Sequence, residues 1–164
     1  MKIWCSILLV TILTGCARQA PPVVTGFEGK PLPVFNLLQM DSVTQLNTSN
    51  IPTGKPIVLF LFSPYCPYCR AQTEDMVKNV EKIKNIQVYM LSEFPFATLR
   101  DYYEQYHLAQ YSNITVLQDY GAYFAKYYKV PGVPFIAVYN NDKILKEVLL
   151  GNVGVKSIKE AVLR

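Results

Sequence analysis

Apolar residues fall into separate blocks along the chain, and the spacing inside each block predicts strands and helices in alternation. Residues 57–62, IVLFLF, form an uninterrupted apolar run, which is typical of a strand buried on both faces. Residues 86–91, IQVYML, form a second such run. Between them, over residues 71–84, apolar residues recur at three- and four-residue steps among charged ones, which predicts an amphipathic helix.

The second half of the chain predicts three further helices and a hairpin. Tyrosine and other large apolar residues recur at helical spacing over residues 96–108 and 119–128, and we expect their rings to pack on a sheet with the hydroxyls in water. Residues 135–140 and 144–150 predict a β-hairpin, and residues 155–163 predict a closing helix. The predicted order is β, α, β, α, then helix, β, β, α, an α/β sandwich with a mixed sheet.

A second hairpin is predicted ahead of this core. The segments VFNLLQ, residues 34–39, and SVTQLN, residues 42–47, have strand character and flank a turn at Met40 and Asp41. We therefore expect a central mixed β-sheet, flanked by helices and preceded by an N-terminal β-hairpin.

The first 32 residues predict a targeting signal followed by a tether. Lys2, an apolar stretch and then small residues give residues 1–15 the layout of a secretory signal, too short to span a bilayer permanently. Residues 16–32 are rich in proline and glycine without helical spacing, which predicts a tether. The run Leu13-Thr14-Gly15-Cys16 resembles the lipobox of bacterial lipoproteins, and this resemblance implies that Cys16 carries lipid and anchors the protein in a membrane.

Composition limits the classes of function. The chain has 164 residues and a net charge of +4, enough for one domain, over residues 33–164. Lysine and arginine form no cluster, which argues against nucleic-acid binding. Of the four cysteines, Cys5 leaves with the signal, so the folded part holds only Cys66 and Cys69, outside the cytoplasm where disulfides persist.

The stretch FLFSPYCPYCR places this cysteine pair directly after a buried strand, where a helix is expected to begin. A helix N-terminus offers unpaired N–H groups and a positive dipole end, which favour a thiolate at Cys66, and Pro67 suits the first helical position. Structural zinc would need about four ligands, and a two-residue disulfide loop would stabilise the fold little. We expect Cys66 to attack a partner and Cys69 to resolve the mixed disulfide.

The chain resembles thioredoxin-fold proteins over residues 33–164. The resemblance rests on IVLFLFSPYCPYCR, on VPGVPF at residues 130–135 and on the ending ILKEVLLGNVGVKSIKEAVL. It implies that Pro134 is cis and lies against the cysteines, and that the backbone of Val133 pairs with the substrate chain. We place Tyr65, Pro67 and Tyr68 with them as substrate-binding residues.

The hairpin and the lipid anchor are similar to TlpA-like extracytoplasmic thiol-disulfide oxidoreductases, and Pro67-Tyr68 is the dipeptide found in glutaredoxins. Three positions depart from the family patterns. Phe60 stands where thioredoxins bury an aspartate, Gln72 where TlpA-like reductases often carry a glutamate, and Tyr65 where thioredoxin has tryptophan. No proton acceptor for Cys69 is evident.

These features predict a membrane-anchored thiol-disulfide oxidoreductase in the bacterial cell envelope, facing the periplasm or the cell exterior. Its expected partners are extracytoplasmic cysteine-containing proteins and a thiol-disulfide electron donor or acceptor, and no cofactor or metal is expected. Two alternatives stay open. One is a copper-binding chaperone of the same fold, although that class uses a CxxxC pair. The other is a peroxiredoxin-type peroxidase, whose attacking cysteine normally lies in a threonine-rich context.

Overall fold

The structure is a computed structural model, and it describes residues 23–164. The predicted signal peptide and the predicted lipidation site, Cys16, lie outside the described residues. Within residues 23–164, no helix is long and apolar enough to cross a bilayer.

The described part of the chain contains seven strands, four α-helices and three short 3₁₀ turns. The strands are β1 Asn36–Gln39, β2 Gln45–Asn47, β3 Ile57–Leu61, β4 Gln87–Ser92, β5 Ile114–Gln118, β6 Phe135–Tyr139 and β7 Leu145–Leu150. The helices are α1 Pro67–Lys78, α2 Phe96–Gln105, α3 Tyr123–Tyr128 and α4 Gly154–Leu163. The 3₁₀ turns are Thr48–Asn50, Val80–Ile83 and Leu108–Gln110.

The strands form one mixed sheet in the order β2-β1-β5-β4-β3-β6-β7. The pairs β3–β4 and β4–β5 are parallel, and α1 and α2 supply the crossovers that parallel neighbours require. The other four pairs are antiparallel, including the N-terminal hairpin β1–β2 and the hairpin β6–β7. The predicted α/β fold with a mixed sheet and an N-terminal hairpin is confirmed.

Strand β3 lies inside the sheet between β4 and β6, and all of its residues are buried. Ile57, Leu59 and Leu61 join the apolar core on one face, which α3 and the segment before β1 cover. Val58 and Phe60 join the core on the other face, under α1, α2 and α4. Each such large side chain contributes about 1.5 to 3 kcal/mol through burial, which explains the uninterrupted apolar run.

Strand β5 is absent from the predicted order, and that omission was wrong. Its sequence, ITVLQ, begins with three β-branched residues, a strand signal overlooked between two tyrosine-rich helices. β5 pairs in parallel with β4 and antiparallel with β1. It therefore joins the N-terminal hairpin to the rest of the sheet.

Two helix boundaries differ from the predicted ones. α1 begins at Pro67, as the cysteine motif predicted, but ends at Lys78, where a 3₁₀ turn replaces the last turn predicted over residues 71–84. α3 begins at Tyr123, later than the predicted residue 119, because the Asp119 carboxylate accepts hydrogen bonds from the N–H groups of Tyr123 and Phe124. The Asp119 side chain thus satisfies the first two N–H groups of α3, which have no acceptor inside the helix.

The rings of Tyr102 and Tyr128 are buried as expected, but their hydroxyls are not in water, and the rings of Tyr120 and Tyr123 are exposed. The Tyr102 hydroxyl lies 2.8 Å from Thr73 Oγ1, and the Tyr128 hydroxyl is hydrogen-bonded to that of Tyr139. Burial raises the pKa of both Tyr102 and Tyr128 above the usual value. These hydroxyls are therefore neutral hydrogen-bonding groups of the core.

The described part of the predicted tether, residues 23–32, packs on the domain. Four backbone hydrogen bonds of 2.8 to 2.9 Å join it to residues 143–148, along the outer edge of β7. The Phe27 ring lies 4.5 Å from the Tyr127 ring and 5.3 Å from the Tyr128 ring, measured between centroids. The tether prediction was therefore wrong for residues 23–32, because their backbone covers a sheet edge that would otherwise be unpaired.

This docking predicts that Phe27 contributes to stability although it lies outside the sheet. We expect Phe27→Ala to lower the free energy of unfolding by about 1 to 3 kcal/mol, since half-buried aromatic contacts are lost. Val24, in the same segment, is 86% exposed, so Val24→Ala should change it by less than about 0.5 kcal/mol. Urea denaturation of both variants measures the difference, and equal stabilities would show that the segment does not dock.

Candidate functional site

The site forms where three neighbouring strands end or begin at one edge of the sheet. Leu61, the last residue of β3, lies opposite Phe135, the first residue of β6, and Phe135 lies opposite Leu150, the last residue of β7. The loop after β3 leads to Cys66, and Pro134 immediately precedes β6. The strand register therefore brings the cysteine and the proline together although 67 residues separate Cys66 from Val133.

Cys66 occupies the N-cap of α1. Its backbone is extended, with φ −79° and ψ 120°, and its carbonyl accepts the first helical hydrogen bond from the N–H of Arg70 at 3.1 Å. Pro67 fills the first helical position, where a missing N–H costs nothing. The Cys66 sulfur thus lies at the positive end of a 12-residue helix dipole, and its preference for the thiolate stays a prediction.

The Cys66 thiol faces the segment before β6. Its Sγ donates to the carbonyl oxygen of Val133 at 3.6 Å, and the Val133–Pro134 peptide bond is cis. The structure therefore brings Cys66, Val133 and Pro134 into one site. The roles of Val133 and Pro134 in binding a substrate chain stay predictions.

The second cysteine differs from the first in exposure. Cys69 is fully buried, whereas Cys66 is half-buried, and both are free thiols. Burial is the main cause that raises the pKa of the Cys69 thiol to about 12; the neighbouring Cys66 side chain contributes to the rise, while a backbone hydrogen bond from Ser63 acts in the opposite direction. One sulfur is thus accessible from outside and the other is held protonated behind it.

Exposed rings flank Cys66 on both sides. Tyr65 is 67% exposed and Tyr68 is 65% exposed, and Pro67 between them is also exposed. The Tyr65 ring lies edge-on to Phe94 with centroids 5.3 Å apart. Phe94 was missed by sequence reasoning because it lies in the loop after β4, and only the sheet brings that loop beside the cysteines.

A groove of about 480 Å³ runs beside the cis proline. Tyr68, residues 131–134 and residues 150–152 line it. A larger cavity of about 600 Å³ lies between α1 and α4, but its lining contains none of Tyr68, Val133 and Pro134, the groove residues that lie beside Cys66. The groove next to Cys66 is the one that the chemistry of the pair would use.

Gln72, noted in the sequence only as a departure from a family pattern, is fully buried three residues after Cys69. Its Oε1 accepts hydrogen bonds from the N–H groups of Val153 at 2.9 Å and Gly154 at 3.3 Å. Glu74, the nearby carboxylate, is exposed and accepts a hydrogen bond from the Tyr106 hydroxyl at 3.4 Å. Over residues 23–164, no group of three His, Cys, Asp or Glu side chains is placed to hold a metal ion.

A mixed sheet with a CxxC pair at the head of α1, facing a cis proline, defines the class of thioredoxin-fold proteins. A solved structure of this class, a secreted disulfide oxidoreductase of Mycobacterium tuberculosis described as homologous to DsbE, superposes with a TM-score of 0.63. It is 18% identical in sequence, and the match covers 77% of this chain and 93% of that one. The predicted thioredoxin-like fold is therefore confirmed.

The AhpC/TSA family matches residues 29–148, so the chain belongs to the AhpC/TSA family. An uncharacterised protein of Haemophilus influenzae is 29% identical over 112 residues, which cover 65% of this chain and 70% of that protein. The thiol:disulfide interchange protein DsbE of Tatumella citrea is 38% identical over 55 residues, 33% of this chain and 30% of the relative. The match thus spans less than a third of DsbE, and family and fold together support the predicted oxidoreductase class.

The contrast between the two thiols predicts selective alkylation of the native protein. At pH 8 a thiol with a pKa of about 12 is ionised in about one molecule in 10⁴, so iodoacetamide should modify the accessible Cys66 and leave Cys69 free. Raising the pH to 10 should speed modification of Cys69 about a hundredfold, because the thiolate fraction rises tenfold per unit. Peptide mass spectrometry measures the extent of alkylation at Cys66 and at Cys69, with protein unfolded in guanidinium as the control. Equal labelling of the native protein at pH 8 would contradict the assignment.

Proposed function

We propose that the protein is a membrane-anchored thiol-disulfide oxidoreductase that exchanges disulfides with extracytoplasmic proteins through Cys66 and Cys69. One observation carries the proposal. An accessible sulfur at the head of α1 lies against the Val133 carbonyl before a cis proline, and a buried second thiol lies one helical turn behind it. This arrangement suits attack on an external disulfide followed by internal resolution.

In the first step, the Cys66 thiolate attacks one sulfur of a substrate disulfide. A bond forms between Cys66 Sγ and that sulfur, the substrate S–S bond breaks, and the second substrate sulfur leaves as a thiolate that takes up a proton. Val133, Pro134 and the groove beside them hold the substrate backbone, and Tyr65 and Tyr68 contact its side chains on either side of Cys66.

In the second step, Cys69 loses its proton and attacks Cys66 Sγ. The Cys66–Cys69 disulfide forms, the mixed disulfide breaks, and the first substrate sulfur leaves as a thiolate that takes up a proton. Once Cys66 is in the mixed disulfide its sulfur carries no charge, so it no longer raises the pKa of Cys69 by charge repulsion. Burial remains the main barrier to deprotonation of Cys69. The substrate has gained two electrons and the pair has lost two.

A second thiol-disulfide partner must then return two electrons to the pair, or remove them if the cycle runs in reverse to oxidise a substrate dithiol. The two directions differ in the reduction potential of the Cys66–Cys69 couple. Equilibration of the protein with glutathione measures it, and a potential well below that of the glutathione pool supports a reductase.

We expect Cys69→Ser to accumulate covalent complexes with cysteine-containing proteins, because the mixed disulfide at Cys66 cannot be resolved. The matched variant Cys66→Ser should accumulate few or none, since the remaining sulfur is buried. Nonreducing gels before and after a reductant count the complexes. Equal trapping by the two variants would refute the assigned roles.

Assays on the purified protein distinguish the proposed function from the two alternatives, a copper chaperone and a peroxidase. A copper chaperone would contain stoichiometric copper and fail to reduce a protein disulfide, so metal analysis and a disulfide-reduction assay identify it. A peroxidase would consume hydrogen peroxide with a thiol reductant and form no complexes with proteins in the Cys69→Ser variant.

We place the protein in the cell envelope, held by lipid on Cys16. The signal-like residues 1–15 and the run Leu13-Thr14-Gly15-Cys16 support this location, and so does the secreted oxidoreductase of the same fold. Val23 is already hydrogen-bonded to Val148 of β7. Seven residues from Cys16 to Val23 reach at most about 25 Å, so this anchor would keep the domain close to the bilayer.

Lipidation predicts that Cys16→Ala releases the protein from membranes into the soluble fraction. Cys5→Ala is the matched control, because Cys5 would be removed with the signal and its loss should leave the protein in the membrane fraction. Fractionation and the mass of the mature N-terminal peptide measure the outcome. Membrane association that survives Cys16→Ala without a lipid-sized mass difference would reject the anchor.

A further inference from the structure

The buried amide of Gln72 connects the helix that carries the cysteines to the far side of the groove. Its Oε1 accepts hydrogen bonds from the N–H groups of Val153 and Gly154, at 2.9 and 3.3 Å. Val153 and Gly154, the first residue of α4, end the 151–154 turn that follows β7, and the start of that turn, Gly151 and Asn152, lines the groove beside Pro134. Gln72 therefore bonds to the residues that directly follow Gly151 and Asn152 of the groove wall.

The orientation of this amide is determined by its surroundings. Two N–H donors point at one atom of the Gln72 side chain, so that atom must be the oxygen, because a flipped amide would set donors against donors. The Nε2 group is then buried without a hydrogen-bond partner among the described residues. An unpaired buried donor is costly, and an apolar side chain of the same size would avoid that cost. A polar residue at position 72 is therefore explained by its oxygen, which accepts the hydrogen bonds from Val153 and Gly154.

The turn that Gln72 holds depends on such support. Gly151 and Gly154 have φ of +87° and +70°. Glycine adopts positive φ about as readily as negative φ, so these two residues do not by themselves fix the conformation of the turn. At its other end, the N–H of Gly151 donates to the carbonyl oxygen of Pro134 at 2.8 Å. The turn is thus hydrogen-bonded to the cis-proline segment on one side and to α1 on the other.

These contacts form a closed ring around the groove. It runs from Cys66 Sγ to the Val133 carbonyl, through Pro134 to Gly151, along the turn to Val153, and through Gln72 back into α1. We propose that Gln72 is a positioning residue for the substrate groove, because its Oε1 holds the 151–154 turn and so fixes the wall that faces a substrate chain at Pro134. The use of the groove by substrate rests on the proposed function, whereas the ring of contacts does not.

Asp75 provides a matched comparison on the same helix. Its Oδ2 accepts from the N–H of Val155 at 2.6 Å, so it also bonds α1 to the start of α4. It lines the cavity between α1 and α4, which shares no lining residue with the groove. Loss of either side chain weakens the contact between α1 and α4, but only loss of Gln72 removes the hydrogen bonds to Val153 and Gly154, the residues nearest the groove-lining Gly151 and Asn152.

The first test is amide hydrogen exchange of the full-length protein, measured residue by residue by NMR. Gln72→Met keeps the size of the side chain and removes the acceptor. We expect exchange at Gly151 to quicken about tenfold, because a turn that has lost its one or two hydrogen bonds to Gln72 opens more often and exposes the Gly151 N–H. Gln72→Glu keeps an oxygen at the same place and should restore slow exchange. Asp75→Ala should leave Gly151 unchanged. An unchanged Gly151 in Gln72→Met, or equal quickening in Asp75→Ala, would overturn the proposal.

The second test uses the Cys69→Ser background, in which only the first exchange step occurs. We expect Gln72→Met to lower the rate constant for capturing an extended peptide disulfide about tenfold, while the rate with bis(2-hydroxyethyl) disulfide, too small to span the groove, stays unchanged. Equal losses with both substrates would mean that Gln72 acts on Cys66 itself and would overturn the groove assignment. If Cys69→Ser alone captures neither disulfide, the proposed function fails, and hydrogen exchange at Gly151 still decides the role of Gln72.

Discussion

The antiparallel pairing of β3 with β6 is the constraint on which the site depends. It places the end of β3 opposite the start of β6, so the cysteine loop and the cis-proline segment leave the sheet at the same edge. The pairing of β6 with β7 adds the third wall, because Leu150 also lies opposite Phe135. A shift of one residue in either pair would turn the buried side chains of the moved strand to the opposite face of the sheet. Core packing therefore fixes the register, and the register fixes the distance between Cys66 and Val133.

A second consequence of the fold is the unequal environment of two identical side chains. Cys66 occupies the N-cap of the helix and is half-buried. Cys69 points into the apolar core, which also contains Phe62 and Met76. Three residues of helix are enough to move a thiol from the surface to the interior. The raised pKa of Cys69 follows from that burial. Gln72 lies one turn further along the same buried face of α1 as Cys69.

Much of the fold was predictable from residue patterns. The uninterrupted apolar runs of β3 and β4, the β6–β7 hairpin and every long amphipathic segment were recognised, because burial imposes a spacing that the chain must repeat. The failures were β5, a short strand between tyrosine-rich helices, and residues 23–32, whose proline and glycine content indicated a tether. Both are held by pairing with partners far along the chain, β4 and β7. The composition of residues 23–32 carries little trace of such pairing, whereas β5 carries a local strand signal in its β-branched residues that was overlooked.

The sequence by itself determined the chemistry: which two sulfurs are present, their spacing, the proline that starts the helix and the apolar run that buries the preceding strand. Each of these is a local property, set by residues within one or two turns of each other. Only the tertiary structure decided which groups face the pair. Val133, Phe94 and the turn held by Gln72 come from separate strands and loops, and their approach to the cysteines results from sheet register and helix packing, which the linear order of residues does not encode locally.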